Sequence, residues 1–92
     1  MFIRIDQAPA DITEQEVMNL FNDSPRVKNI LIQGDFDNDQ TIVWVRLNVE
    51  SRAVINGIAE YLNGRYIRGI RLNVSAPLFF NDPWEHEDNK SR

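Results

Sequence analysis

Trp44 and three arginines, Arg4, Arg46 and Arg71, lie in segments whose apolar residues alternate with a period of two. In an extended chain, residues two apart share a face. That puts Ile42, Trp44 and Arg46 together on one segment, Arg4 with Asp6 on another, Leu31 with Gln33 on a third, and Arg71 with Asn73 and Ser75 on a fourth. An indole plane stacks on flat heterocycles. A guanidinium does the same, or forks onto carboxylate and phosphate oxygens. Carboxamides and carboxylates supply donors and acceptors for polar edges. Such a set can hold a planar, anionic ligand, but it does not compose a reaction centre. Ser51, Ser75 and His86 fall on unrelated elements, and no glycine-rich anion loop precedes the first helix, so the sequence predicts no enzyme.

With no cysteine and a single histidine, disulfides, thiol chemistry, cysteine zinc sites and histidine clusters are excluded. Asp35, Asp37 and Asp39 imitate the opening of a calcium loop. Gln40 stands where the loop needs glycine and Arg46 where it needs glutamate, so the segment reads as a solvated turn. No metal and no cofactor are expected.

The elements that must position these residues follow from the same alternation. Ile3 and Ile5 point inward from a first strand that Pro9 closes. Thr13 and Glu16 form a capping box, flanked by Ile12 and Val17 in staple positions. Val17, Leu20 and Phe21 then give one apolar helix face, with Pro25 as its stop. Strands are predicted at 27–33 and 41–49, the latter with Val43, Val45, Leu47 and Val49 inward. A second helix is predicted at 51–63, with Ile55, Ile58, Ala59 and Leu62 facing the core and Asn63-Gly64 as its stop, and a last strand at 70–75. The order is βαββαβ. It predicts an α+β, ferredoxin-like sandwich: a four-stranded antiparallel sheet with both helices on one face, in the order fourth, first, third, second. Arg71, Arg4 and Arg46 then fall in a row across three adjacent strands of the other face, with Trp44 beside them.

The 92 residues suit one domain, expected at 1–77, followed by an aromatic, then acidic, extension at 78–92. Ten basic against fourteen acidic side chains give a net charge of −4, which opposes indiscriminate polyanion binding. No apolar run reaches the ~20 residues of a membrane span and no basic-then-apolar leader is visible, so an intracellular protein is expected.

Residues 3–76 resemble an RNA recognition motif (RRM). The run from Ile3 to Val17 lies without gaps on the family's first strand and the start of its first helix, and Leu62-Asn63-Gly64 is similar to the family's frequent ending of the second helix. Ile42-Val43-Trp44-Val45-Arg46-Leu47-Asn48-Val49 takes the place of the RNA-binding octapeptide. Trp44 keeps the first exposed aromatic position and Leu47 the buried aliphatic one. Arg46 replaces the second exposed aromatic, Ile42 the leading basic residue, and Arg4 the aromatic of the first strand, with Phe2 one pleat away. The resemblance implies single-stranded RNA as partner, held on the open sheet face by Arg4, Asp6, Gln33, Ile42, Trp44, Arg46, Arg71 and Asn73. Guanidinium planes stack on splayed bases as rings do.

Two other readings use the same chain. Degenerate aromatics also mark family members that bind protein, and Arg65-Tyr66-Ile67 is similar to the Arg-x-Phe loop of the U2AF-homology subgroup, which implies a peptide partner at Arg65, Tyr66 and Ile67. The arginines can instead pair with local carboxylates, Arg4 with Asp6 first of all. The apolar run from Pro77 to Trp84 is expected to pack beside the sheet or against the helices, or to fold over the open face as a lid.

Overall fold

The computed structural model describes residues 1–35 and 40–77. Along the chain lie β1 (Phe2–Ala8), α1 (Glu14–Leu20), β2 (Val27–Asp35), β3 (Gln40–Leu47), α2 (Arg52–Leu62), β4 (Tyr66–Ile67), β5 (Ile70–Arg71) and β6 (Asn73–Ser75). β2, β3, β1 and β6 form, in that order, one antiparallel sheet. This is the ferredoxin-like arrangement that the alternation predicts. The aspartate-rich turn and the C-terminal extension, apart from Asp35 and the turn's flanks, lie outside the described residues.

Alternation sorts the strands into two faces. Ile3, Ile5, Val43 and Val45 are fully buried and pack with Val17 of α1 and Ile55, Ala59 and Leu62 of α2. Each such aliphatic side chain contributes about 1.5–3 kcal/mol by leaving water. The residues between them, Arg4, Ile42, Trp44 and Arg46, must therefore stand on the face turned away from both helices.

Both helices begin as their sequences dictate. Thr13 Oγ1 accepts from the Glu16 amide at 3.2 Å while Glu16 Oε1 accepts from the Thr13 amide at 3.1 Å, closing the capping box. Ser51 caps α2 through the Val54 amide at 3.3 Å. α1 ends earlier than Pro25 would require. Asn22 and Asp23 take φ of 55° and 53°, and the Asp23 amide bonds back to the Met18 carbonyl at 2.8 Å, a left-handed closure. α2 carries Gly57 at its centre, with nothing within 4 Å of the place a Cβ would occupy. Among the described residues no helix is long and apolar enough to cross a membrane.

The predicted strand at 70–75 is divided at Leu72. Its amide donates to the Arg65 carbonyl at 2.8 Å and its carbonyl accepts from the Gly64 amide at 3.0 Å, while its side chain is buried. The backbone of Leu72 thus faces the α2 exit rather than β1. Gly64, at φ +85°, makes that exit sharp enough. β5 consequently pairs with β4 in a separate two-stranded ribbon, and only β6 joins the main sheet.

Candidate nucleic-acid interface

Strand register decides which side chains on the outer face meet. Leu31, Trp44, Arg4 and Ser75 stand opposite one another in a single row across β2, β3, β1 and β6. The neighbouring row holds Asn29, Arg46 and Phe2. On the other side Gln33 faces Ile42, and Asp6 faces Asn73.

Trp44 is the centre of this surface. Phe2 meets its ring edge-on, with centroids 5.4 Å apart and planes at 79°. The Arg4 guanidinium carbon lies 5.4 Å from the ring centroid, a cation–π distance. The indole N–H donates to Gln33 Oε1 at 3.0 Å. Three neighbours on the two flanking strands, Phe2 and Arg4 of β1 and Gln33 of β2, thus fix the indole while leaving it half-exposed. Arg4 is held in turn by Asp6: Nε donates to Asp6 Oδ1 at 3.0 Å, and Nη2 lies in an ion pair 3.0 Å from the same oxygen. The carboxylate offsets the charge of Arg4 and fixes its plane, and both side chains keep a third of their surface or so in solvent (38% and 28%).

The predicted row of three arginines does not form. Arg4 faces Trp44, Arg46 lies one row away opposite Phe2, and Arg71 lies in β5 opposite Tyr66. The division at Leu72 carries Arg71 off the main sheet, to a place against the Gly64 backbone. Asn73 stays on the sheet, exposed beside Asp6. Of the loop read as peptide-binding, Tyr66 is 65% exposed, Ile67 packs partly buried against the core, and Arg65 turns back onto α2. The Arg65 guanidinium sits 4.2 Å over the Tyr61 ring, and its Nε donates to the Tyr61 carbonyl at 3.3 Å.

Two features carry no sequence signal. A groove of ≈ 430 Å³ lies between the end of α1 and the flank of α2, lined by Leu20, Phe21, Arg26, Val54, Ile58 and Tyr61 among others. At the opposite end of α1, Arg68 joins the β4–β5 turn to the helix start. It donates to Asp11 Oδ1 at 2.6 Å, to Glu16 Oε2 at 2.7 Å and to Glu16 Oε1 at 2.5 Å. The hydrogen bonds from Arg68 hold the Glu16 carboxyl down to about 2, and both carboxylates raise the pKa of Arg68.

Comparison with solved structures identifies the scaffold. The third RRM of Pes4 superposes with a TM-score of 0.68 at 18% identity, covering 88% of this chain and 95% of that one. The fold is that of an RNA recognition motif. A second RRM, that of Rna15 solved with bound RNA (GU), matches over 99% of this chain and 97% of its own at TM-score 0.65 and 13% identity. The second RRM of the yeast poly(U)-binding protein Pub1 matches over 89% and 100% at 0.62 and 13%. No family profile and no curated protein matches the sequence. At these identities the likeness is one of RRM architecture, and the resemblance read from residues 3–76 holds at that level.

Proposed function

We propose that this RRM-fold chain binds single-stranded RNA on the sheet face turned away from its helices. One observation carries the reading: Trp44 stands half-exposed at the middle of that face, braced by Phe2 and Arg4 from β1 on one side and by Gln33 from β2 on the other. A core residue needs no such bracing on the solvent side, whereas a stacking platform does, because a fixed ring loses less freedom when a base settles on it. Trp44 stacks a base, and Arg4, its plane set by Asp6, takes a second base or the phosphate between them. Ile42 gives an apolar wall, while Gln33 offers its carboxamide to base edges. Arg46, one row on, adds positive potential to an otherwise acidic molecule. The structural likeness to an RRM solved with bound RNA supports this reading.

The test is titration of the full chain with pools of short single-stranded RNA at low salt. Trp44→Ala should lower affinity roughly 5- to 150-fold, the range for one stacked base, without lowering the melting temperature appreciably. Affinity weaker than millimolar for every pool would end the proposal.

A second reading, capture of a partner peptide, is favoured by the groove between α1 and α2 rather than by the Arg65-Tyr66-Ile67 loop as a unit. Tyr61, 65% exposed with Arg65 stacked on it, forms one wall. A tryptophan-bearing peptide whose binding is lost in Tyr61→Ala and kept in Trp44→Ala would establish this reading.

A further inference from the structure

Beyond the end of the Trp44 row, β1 is interrupted. Ile5 faces Val43 but Ala8 faces Thr41, so β1 carries one residue more than β3 over that stretch, and Gln7 takes φ 63°. A non-glycine residue held in the left-handed region stores strain of order 1 kcal/mol, and such residues gather at ligand sites. The bulge brings exposed Gln7 to a pocket of ≈ 260 Å³ that it lines with Asn63, Arg71, Leu72 and Asn73. We infer that this pocket is a subsite for a backbone phosphate of single-stranded nucleic acid, gripped by Arg71 with the carboxamides of Gln7 and Asn73. The inference rests on the RNA reading of the adjoining sheet face and adds to it a second anchor.

Four observations point to an anion there. Among the described residues, no carboxylate pairs with Arg71 and no hydrogen bond occupies its guanidinium. That guanidinium is nonetheless positioned. It lies against the Gly64 backbone so closely that a Cβ at Gly64 would come within 3.3 Å of Nη2 and 3.4 Å of Nε. The lining offers guanidinium and carboxamide donors and no aromatic plane, so it suits a small oxyanion rather than a base. The nearest carboxylate on β1, Asp6, is engaged by Arg4 and so repels an incoming phosphate less than a free one would. Gln7 lies three residues from Arg4, about 10 Å along the strand, so one oligonucleotide can engage Trp44 and this pocket together.

The experiment measures RNA affinity of the full chain by anisotropy at stepped salt, for wild type, Arg71→Gln, Arg71→Lys, Gln7→Gly and Trp44→Ala. Arg71→Gln should weaken binding about tenfold, equally for all sequences, and flatten the log–log salt slope by about 0.7, one phosphate contact on a single strand. Arg71→Lys should keep the slope and lose about threefold. Gln7→Gly should bind more weakly while melting no lower than wild type. If Trp44→Ala weakens binding but Arg71→Gln leaves affinity and slope unchanged, the subsite falls and the RNA reading stands. If wild type binds no pool, both fall. A parallel titration with inorganic phosphate, followed by amide shifts, separates the sources. Shifts at Gln7, Arg71 and Asn73 with phosphate but not with RNA would overturn the nucleic-acid assignment in favour of a free-anion site.

Discussion

Among the described residues, Arg4 on the outer sheet face and Arg68 in the β4–β5 turn both pair with carboxylates, and they differ in how much of the guanidinium is used. Arg68 spends its donors on Asp11 and on both oxygens of Glu16, tying the β4–β5 turn to the start of α1. Arg4 gives one hydrogen bond and an ion-pair contact to a single oxygen of Asp6 and leaves the rest of its plane beside Trp44. A saturated guanidinium organises the fold, and a partly used one keeps capacity for a ligand. The sheet face and the turn end can therefore be separated by experiment.

The largest effect should come from Ile55→Ala, which removes a fully buried side chain from the shared core and should cost about 2–5 kcal/mol of stability in chemical denaturation. Trp44→Ala comes next, as a loss of RNA affinity with little change in melting temperature. Arg68→Ala should do the reverse, lowering the melting temperature and leaving RNA affinity within about twofold of wild type. An equal loss in both assays would erase the distinction between the two ends.

Acid titration sharpens the same contrast. Because the Glu16 carboxyl is held at about 2 in the folded chain, against 4.5 ordinarily, its contribution is fully present above pH ~4.5 and is lost as pH falls toward 2. The melting-temperature difference between wild type and Glu16→Gln should shrink over that window. The smallest effect should belong to Asp6→Asn. Freeing Arg4 and removing one negative charge should raise RNA affinity about two- to threefold at low salt and steepen its salt dependence. A fall in affinity would make Asp6 a ligand contact instead of a brace.

The fold was legible because its signals are local. Alternation at Ile3 and Ile5, the Thr13–Glu16 box and the Asn63-Gly64 exit each act over a few residues, and each appears where the spacing puts it. The outer face was legible as a set of side chains but not as an arrangement. Register across β1 depends on the bulge at Gln7, and the departure of Arg71 depends on Leu72 bonding back to Gly64 and Arg65. Those are tertiary choices that alternating hydropathy cannot encode. The Arg68 clamp closes over a separation of 52 residues from Glu16, and no spacing rule reaches that far.

Gly57 has a consequence of another kind. A glycine inside a helix is destabilising by about 0.5–1 kcal/mol relative to alanine, and nothing in the surrounding packing excludes a methyl group there. Evolution has left this margin unclaimed in α2, so Gly57→Ala offers an engineered background in which harsher substitutions on the sheet face can be tried without the domain melting.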